Sequence, residues 1–448
     1  MEQFPLLRPR LPNAVVSYRD GQAVKVREFL SDVRILSEQL PKRKYVLNLC
    51  VDRYLFAVGL AAAFQCRQVS LLPPSHTSDF LQRLKQSYPD LYALTDSDNM
   101  LSPIETFRFP ELSTGISGGT EIPIFPAGQV VAHVFTSGST GEPVSHAKSW
   151  GSLVASALAA GTALGINDLP GAVLISTVPA QHMYGLESSL LLAWQNGLIW
   201  HNERPFYPED ICAQIAALPR PRVLITSPVH LRTLLVDAVS IPLVDLVVCA
   251  TAPLSMELAL RAENGFGAPV KEIYGCTESG QVAVRRPTQG DVWQCMAGLI
   301  LCAYPQGRTM VSGGHVGEEV LLNDVIEIID SQHFVMHDRQ TDMVNIAGKR
   351  TSLGSLNHLL NSIPGVQDGV FVMPKESHGR VARLMAFVVS ETLDRDALMR
   401  ELRDRVDPAF LPRPLHLIDV LPRDATGKLP RIEIDRIVQQ YESVKGVV

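Results

Sequence analysis

The 448-residue sequence lacks the features that mark several common classes of protein. Its net charge of −6 leaves no basic excess of the kind that general nucleic-acid-binding proteins carry. Its longest apolar stretch, residues 54–64, is too short to cross a bilayer. Residues 1–5 show neither the basic segment nor the apolar core of a signal peptide. These absences predict a cytoplasmic protein with no membrane span and no nucleic-acid partner.

Two familiar site motifs are also missing. The seven cysteines are scattered and include no Cys-x-x-Cys pair, which indicates reduced thiols rather than a disulfide framework or a zinc site. No Gly-x-x-x-x-Gly-Lys-[Ser/Thr] motif occurs, so a Walker phosphate loop is excluded. The sequence is 46% apolar and 19% charged, as globular proteins are, and its length predicts two or more domains.

Short apolar runs alternate with longer helical patterns through the first three quarters of the chain. Runs such as 173–176 and 246–249 predict strands, and residues 54–64 predict an apolar helix. This alternation predicts an α/β fold with largely parallel sheets. The pattern changes near residue 339, after which a small α+β domain is predicted. The polar run 338–342 is the predicted joint between the two parts.

A loop of small residues is the first candidate site. Six residues after Phe135 comprise two glycines and four hydroxyl-bearing side chains: Thr136, Ser137, Gly138, Ser139, Thr140 and Gly141. Because glycine has no Cβ, such a loop can bring backbone N–H groups and hydroxyls against a phosphate. The alternative reading of the same run is a flexible surface loop.

A second candidate site follows a short apolar strand at residues 272–279. Tyr274 can stack on a base, Thr277 can bond a phosphoryl or carboxyl oxygen, and Glu278 can hold Mg²⁺. The alternative is an ordinary strand end followed by a polar turn.

Two further polar segments lie towards the C-terminal end. Asp324 can accept two ribose hydroxyls, and Arg339 can donate to the same ribose or to phosphate. Lys428 follows Thr426-Gly427 on a predicted turn, where a mobile cation can reach a leaving phosphate or a carboxylate. The alternatives are a solvated turn, a surface ion pair and a solvated lysine.

In their order and spread, these segments resemble the adenylate-forming superfamily, which comprises acyl- and aryl-CoA synthetases, nonribosomal peptide adenylation domains and luciferases. Residues 136–143 look like its phosphate loop, residues 274–278 like its Tyr-Gly-x-Thr-Glu motif, and residues 426–428 like its catalytic-lysine motif. Residues 179–185 resemble the segment that lines the acyl pocket, and residues 250–254 resemble the loop under the adenine. The resemblance covers essentially the whole chain.

The resemblance implies an architecture and a set of site residues. It implies a large N-terminal adenylation domain with α/β subdomains, residues 1–338, and a small mobile C-terminal α+β domain, residues 339–448, with a hinge at 339–342. ATP and Mg²⁺ are the implied cofactors, with Mg²⁺ on Glu278. The implied catalytic residues are Lys428, Thr277, Glu278 and His182. The implied nucleotide-binding residues are Thr136, Ser137, Gly138, Ser139, Thr140, Gly141, Lys148, Ala252, Pro253, Tyr274, Gly275, Asp324 and Arg339. The implied acid-binding residues are His182, Tyr184, Ser227, His230 and Thr251, and Gly348 is implied to line the thiol tunnel.

The sequence departs from the family pattern at two places. Val144 stands where the family has a lysine after the proline of the phosphate loop. Lys148 and His146 lie just downstream and are candidates to reach the β- and γ-phosphates instead. At the hinge, Thr341 or Asp342 occupies the pivot position.

The short N-terminal part and the segment 143–148 resemble small stand-alone ligases of bacterial aryl-polyene and xanthomonadin pigment pathways. That resemblance implies adenylation of an aromatic acid, 3- or 4-hydroxybenzoate, and its transfer to the phosphopantetheine thiol of a holo-acyl carrier protein. One alternative is an aryl- or fatty-acyl-CoA ligase. Another is a non-catalytic nucleotide-binding scaffold, which Val144 favours and which Lys428 argues against because a scaffold does not need a catalytic lysine.

Overall fold

The computed structural model separates into two compact units, which are described one at a time. The residues described are 2–73, 78–98, 103–111, 121–137, 143–236, 240–251, 254–305, 308–322, 324, 326–336, 343–346, 349–361, 363–374, 383–422 and 431–443. The first unit comprises residues 1–74, 85–135 and 145–340, and the second comprises residues 75–84, 136–144 and 341–448. The predicted hinge at 339–342 lies outside the described residues, so the predicted domain boundary stays a prediction.

Strands and helices alternate along much of the described chain. The strands are β1 (Gln3–Pro5), β2 (Val15–Arg19), β3 (Gln22–Lys25), β4 (Tyr45–Asn48), β5 (Val69–Leu72), β6 (Leu91–Thr95), β7 (Glu105–Arg108), β8 (Ile124–Pro126), β9 (Val130–Ser137), β10 (Pro143–Ser149), β11 (Val173–Ser176), β12 (Ile199–His201), β13 (Arg222–Thr226), β14 (Leu246–Cys249), β15 (Val270–Cys276), β16 (Gly280–Arg285), β17 (Val292–Cys295), β18 (Leu299–Tyr304), β19 (Arg308–Gly313), β20 (Val316–Leu322), β21 (Ile326–Ile328), β22 (His333–Met336), β23 (Met343–Ile346), β24 (Lys349–Ser352), β25 (Asp368–Val372), β26 (Met385–Val389) and β27 (Leu415–Leu417). The α-helices are α1 (Val26–Gln39), α2 (Arg53–Gln65), α3 (Ser78–Ser87), α4 (Trp150–Leu164), α5 (Met183–Gly185), α6 (Leu192–Asn196), α7 (Pro208–Ala217), α8 (Pro228–Val236), α9 (Met256–Phe266), α10 (Leu353–Asn361), α11 (Arg395–Arg405) and α12 (Arg431–Ser443). A π-helical stretch, Leu186–Leu191, joins α5 to α6, and short 3₁₀ turns occupy Ile166–Asp168, Pro287–Gln289 and Pro408–Phe410.

Two large sheets organise the described part of the first unit. One has the strand order β10-β9-β5-β4-β6-β7, and the other has the order β21-β22-β17-β16-β15-β14-β13-β11-β12-β2-β3. The pairs that join β4, β5, β6, β7 and β9 are parallel, as are those from β15 through β14, β13, β11 and β12 to β2. The α/β class predicted from the sequence is therefore confirmed.

The large sheet departs from the prediction at its edges. The pairs β15–β16, β16–β17, β17–β22, β21–β22 and β2–β3 are antiparallel. Consecutive strands such as β15 and β16 are joined by a turn of a few residues, which permits only antiparallel pairing. A separate three-stranded antiparallel sheet is formed by β18, β19 and β20.

Local sequence explains where the central helices begin. Asp52 precedes α2, and its carboxylate accepts hydrogen bonds from the backbone N–H groups of Tyr54 and Leu55 at 2.7 and 3.0 Å. Helix α2 is apolar on all sides because it is buried against both the sheet and its neighbours. Helix α4 begins after Ser149, whose hydroxyl caps the N–H of Ser152 at 3.2 Å, and ends at Gly165 with φ 70°.

The second unit has its own core. A hairpin, β23 with β24, precedes α10, and the sheet β25-β26-β27 packs its apolar residues against α10 and α11. Phe387 stacks on His416 with a ring separation of 5.4 Å, and His416 lies 4.6 Å from the ring of Tyr441 on α12. Lys349 pairs with Asp407 at 2.6 Å.

No helix in the described ranges is both long and apolar enough to pass through a bilayer.

Candidate functional site

The Tyr274 hydroxyl brings two predicted nucleotide-binding residues together. It donates a hydrogen bond to Asp324 Oδ2 at 2.8 Å, although the two residues are fifty positions apart, and both side chains are buried. The Tyr274 ring packs edge-on against Trp293 and Phe334, at 5.8 and 5.9 Å between ring centres. These contacts fix the ring and the carboxylate at the carboxyl end of β15.

Gly275 allows the strand to turn at this point. The pairing of β15 with β16 shifts register between Tyr274 and Gly275, which is a β-bulge. A Cβ on Gly275 would collide with the carbonyl oxygen of Gly280. The bulge is followed by a turn in which Thr277 and Glu278 are half-buried. The structure therefore places Tyr274, Gly275, Thr277 and Glu278 at one end of the large sheet.

Lys148, at the end of β10, reaches this turn. Its Nζ donates a hydrogen bond to the backbone carbonyl oxygen of Glu278 at 2.7 Å, and only 9% of the residue is exposed. Burial lowers the pKa of Lys148, and the carboxylate of Glu187 opposes that change. The sequence placed Lys148 near the phosphates of ATP, and the structure places its ammonium against protein backbone. Val144, where the family has lysine, has an exposed side chain.

Glu187 is a buried carboxylate that sequence reasoning missed. It lies in the π-helical stretch between α5 and α6, where its Oε1 accepts a hydrogen bond from the Ser156 hydroxyl at 2.8 Å. Its carboxylate also accepts from the backbone N–H of Gln281. Burial raises the pKa of Glu187 to about 7, against the lowering effect of Lys148. The sequence did contain a signal, because Glu187 is the only charged residue in the stretch 186–194.

The loop after β14 is held by an ion pair and contains a strained residue. Thr251 has φ 84°, a conformation that costs a β-branched residue about 1–3 kcal/mol. At the other end of the loop, Leu254 donates its N–H to Glu272 at 2.8 Å, and Arg285 donates to the Leu254 carbonyl at 3.2 Å. Arg285 and Glu272 are themselves paired at 2.7 Å. Strain of this kind persists where surrounding contacts enforce it, often at ligand sites.

The predicted acid-binding residues differ in what they contact. The Ser227 hydroxyl lies 2.8 Å from His230 Nδ1, and Phe206 packs edge-on against the His230 ring. Burial and the nearby Arg204 lower the pKa of His230, which favours its neutral form. The buried Tyr184 hydroxyl instead faces the backbone carbonyls of Thr226 and Val248, at 3.2 and 3.1 Å, where it ties β13 to β14. His182 is half-buried at the start of α5.

Cys276, the last residue of β15, is not suited to nucleophilic attack. Burial and the Glu278 carboxylate raise the pKa of its thiol to about 11, so it stays protonated at neutral pH. Its sulfur lies 3.0 Å from the Ser279 hydroxyl.

Several predicted residues cannot be placed. Thr136 and Ser137 form the last two positions of β9. The predicted residues that lie outside the described ranges are Gly138, Ser139, Thr140, Gly141, Ala252, Pro253, Arg339, Gly348 and Lys428, together with the alternative pivots Thr341 and Asp342. Their roles stay predictions.

Several known proteins with similar sequences are CoA ligases. The chain is 25% identical over 396 residues to a 2-succinylbenzoate–CoA ligase of Bacillus cereus, covering 78% of each protein. It is 26% identical over 273 residues to a 4-coumarate–CoA ligase of Rhodobacter capsulatus, covering 61% of this chain and 66% of that protein. A 117-residue segment, 25% of this chain and 22% of that protein, is 29% identical to a 3-hydroxybenzoate/4-hydroxybenzoate–CoA ligase of Thauera aromatica.

Solved structures share the fold. An o-succinylbenzoate CoA synthetase from Bacillus subtilis, bound to a product analogue, superposes with a TM-score of 0.80 at 17% identity, covering 97% of this chain and 99% of that one. A malonyl-CoA ligase with methylmalonyl-CoA and AMP bound superposes with a TM-score of 0.75 at 17% identity, covering 94% and 99%.

The family follows from the match to a family model. The predicted enzyme class, an AMP-forming acid–thiol ligase, is confirmed by the family model and by the CoA ligases among the relatives, whereas the carrier-protein acceptor and the hydroxybenzoate substrate stay predictions. The model of the AMP-binding enzyme family matches residues 40–333, well over half of the sequence, and the chain therefore belongs to that family.

Proposed function

We propose that the protein uses ATP to convert an aromatic carboxylic acid, 3- or 4-hydroxybenzoate, into an acyl adenylate and then transfers the acyl group to the phosphopantetheine thiol of a holo-acyl carrier protein. The observation that supports this most directly is the pairing of Tyr274 with Asp324 beside the Glu278 turn. It joins an aromatic ring, a ribose-type carboxylate acceptor and a metal-type carboxylate at one sheet end. Those are the groups that a nucleotide with its metal requires.

The chemistry needs charge neutralisation around the α-phosphate. The carboxylate of the acid attacks the α-phosphorus, the bond to pyrophosphate breaks, and the two anions repel each other until their charge is balanced. In the proposed assignment the hydroxyls and N–H groups of residues 136–141 hold the pyrophosphate end, Thr277 bonds a phosphoryl or carboxyl oxygen, and Lys428 supplies a cation. The thiol then displaces AMP from the adenylate.

Glu278 suits a magnesium ion that is shared with the substrate. Among the described residues, no group of three or more His, Cys, Asp or Glu side chains could hold a metal. Mg²⁺ commonly binds one or two carboxylates and completes its coordination with substrate phosphates and water. A single half-buried carboxylate at this turn fits that mode. When bound, Mg²⁺ neutralises negative charge on the phosphates.

The polar pair Ser227 and His230 supports an acid that carries a hydroxyl. A hydroxyl on the substrate ring can exchange hydrogen bonds with both groups, since neutral histidine and serine each donate and accept. The names of the relatives from Thauera, Rhodobacter and Bacillus, which refer to aromatic acids, support the aryl class.

An arginine-lined groove in the second unit supports a protein acceptor. The groove, of about 540 Å³, is lined by Arg383, Arg395, Arg403 and Arg413 around a single acidic residue, Asp396. Within the described residues none of these four arginines forms an ion pair. An acidic carrier protein that presents its phosphopantetheine arm would complement this charge, and such complementarity mainly speeds association.

The central experiment is ATP–pyrophosphate exchange across a panel of benzoates and fatty acids. We expect exchange with hydroxybenzoates, and a mass increase on holo-acyl carrier protein when the same acid and ATP are supplied. Exchange with fatty acids and none with benzoates would exclude the aryl acid. Absence of exchange with every acid would favour a nucleotide-binding scaffold.

A charge reversal in the groove tests the acceptor. The double variant Arg395→Glu/Arg403→Glu should raise KM for holo-acyl carrier protein about tenfold or more, and leave pyrophosphate exchange and the use of free pantetheine unchanged. Arg400→Glu, also exposed on α11 but outside the groove, is the matched control. A double variant with an unchanged KM for the carrier protein would exclude this surface.

The second candidate function is CoA ligation, which the names of the relatives favour. Supplying CoA in place of the carrier protein decides between the two, because an acyl-CoA product forming faster than the acylated carrier would make CoA the acceptor.

A further inference from the structure

The Glu278 turn is supported from behind by buried charged groups that the proposed chemistry does not use. The ladder of β15 with β16 ends at the pair Cys276–Gly280, so Glu278 lies at the tip of the connecting turn. There, Lys148 Nζ donates to the carbonyl oxygen of Glu278 at 2.7 Å. A hydrogen bond from a charged donor is roughly twice as strong as a neutral one, so this contact restrains the turn strongly.

Glu187 provides the opposite charge for Lys148. It is 3% exposed, and its carboxylate is anchored by the Ser156 hydroxyl at 2.8 Å and by the backbone N–H of Gln281. Among the carboxylates that act on Lys148, Glu187 has the largest effect. An ammonium buried beside a single carbonyl would be unstable without such a neighbour.

The Glu187 carboxylate occupies space that depends on a glycine at position 280. Gly280 has φ 75°, and a Cβ there would lie 2.9 Å from Glu187 Oε1. The residue itself is in a π-helical stretch, an arrangement that is rare and frequent at functional sites. The π-helical stretch and Gly280 together leave room for the Glu187 carboxylate behind the turn.

We propose that Lys148 is a positioning residue for adenylation, which holds the backbone of the turn so that the Glu278 carboxylate is fixed for Mg²⁺ and ATP, while the negative charge of Glu187 favours the charged form of the lysine. The inference rests on the proposed function. In this role the lysine ammonium contacts protein rather than phosphate. Lys148 then does not replace, at the phosphates, the lysine that the family has at the position of Val144.

The two possible positions of the ammonium predict different binding. A lysine on the phosphates attracts ATP whether or not metal is present, whereas a lysine on the turn acts through Glu278 and matters only with Mg²⁺. Lys148→Met, similar in length and uncharged, separates them. Titration calorimetry measures Kd for ATP once with Mg²⁺ and once with EDTA.

We expect Lys148→Met to raise Kd for ATP about tenfold with Mg²⁺ and to leave it within about twofold in EDTA, with kcat for pyrophosphate exchange reduced about 10- to 100-fold and KM for the acid unchanged. Transfer from a supplied acyl adenylate, which needs no metal, should stay unchanged. An equal loss of ATP affinity in EDTA would overturn the proposal in favour of phosphate contact.

Lys271→Met is the matched control. Lys271 is half-buried in the first unit and, like Lys148, donates to a backbone carbonyl, that of Ala163 at 3.0 Å, at the end of α4. Its loss should lower Tm without changing the Mg²⁺ dependence of ATP binding.

Glu187→Gln keeps the shape of the side chain, and we expect the same Mg²⁺-dependent loss, smaller than for Lys148→Met. It also serves if Lys148→Met does not fold, and in that case a Glu187→Gln protein with normal Mg²⁺ dependence would overturn the proposal. If the wild-type protein shows no pyrophosphate exchange with any acid of the panel, the proposed function is refuted instead. The calorimetric measurement of ATP binding does not depend on turnover, so the two failures can be told apart.

Discussion

At the scale of single residues, the candidate site depends on a close approach between two strands that leaves no space for a side chain at Gly275. Gly275 lies where the β15 backbone passes close to the Gly280 carbonyl, and the bulge there directs the following turn. The motif around Tyr274 identified these residues from sequence because their types suit nucleotide chemistry. The contact between Lys148 and Glu278 could not be predicted, because it joins positions 130 residues apart through backbone atoms.

Gly275→Ala tests the bulge. The added methyl must push β15 away from β16, which we expect to cost about 1–3 kcal/mol of unfolding free energy, and it should reduce pyrophosphate exchange at least 100-fold by displacing Glu278. Thermal unfolding and exchange rates measure the two effects. Gly317→Ala on β20, where a Cβ would meet no atom within 4 Å, is the control and should change neither.

At the scale of helices and strands, local patterns predicted many elements closely. The runs 173–176 and 246–249 are β11 and β14, and the predicted helix 54–64 extends by one residue at each end to Arg53–Gln65. The π-helical stretch could not be predicted, because the pattern of residues 186–191 does not distinguish a π-helix from an α-helix. The antiparallel edge of the large sheet was missed since the strand pattern of a buried sheet does not reveal strand direction.

The end of β12 is buried against α2 in a way that should make stability depend on pH. The Arg53 guanidinium donates to the carbonyls of His201 and Glu203 at 3.1 and 3.0 Å, and to those of Ser176 and Val178 at 3.1 and 2.9 Å. One side chain of α2 therefore ties the ends of β11 and β12. Burial and this guanidinium lower the pKa of His201 to about 4.

The sign of the effect follows from that lowered pKa. An unfolded histidine has a pKa of about 6.5, so between pH 6.5 and 4 the unfolded chain binds a proton that the folded chain does not. The contribution of neutral His201 to the free energy of unfolding is therefore fully present above pH 6.5, and it is lost as the pH drops towards 4. His201→Phe should remove about 2 kcal/mol of the stability loss between pH 7 and pH 5, measured by urea unfolding. Identical pH dependence in the variant and the wild type would refute the assignment.

At the scale of the whole molecule, the reaction that we propose needs two half-reactions and two units. The first unit contains the Tyr274–Asp324 pair and the Glu278 turn, and the family match at residues 40–333 falls largely within it. The chain from residue 341 onwards has a separate core built on β25, β26 and β27. The resemblance to adenylate-forming enzymes predicts that Lys428, in that part of the sequence, is catalytic.

Lys428→Ala should separate the half-reactions. A cation at residue 428 balances charge only while the carboxylate attacks the α-phosphate, and the thiol step starts from an adenylate whose phosphate already leaves readily. We therefore expect pyrophosphate exchange to fall at least 1,000-fold, while thioester formation from a supplied acyl adenylate stays within about threefold of wild type.

Lys349→Ala is the control for that variant. It removes the ion pair with Asp407, at 2.6 Å, from the same unit, so it should lower stability modestly and should not separate the two steps. Equal loss of both half-reactions in Lys428→Ala would contradict a lysine that serves adenylation alone. A change in exchange by less than tenfold would mean that a group other than Lys428 balances the negative charge at the α-phosphate.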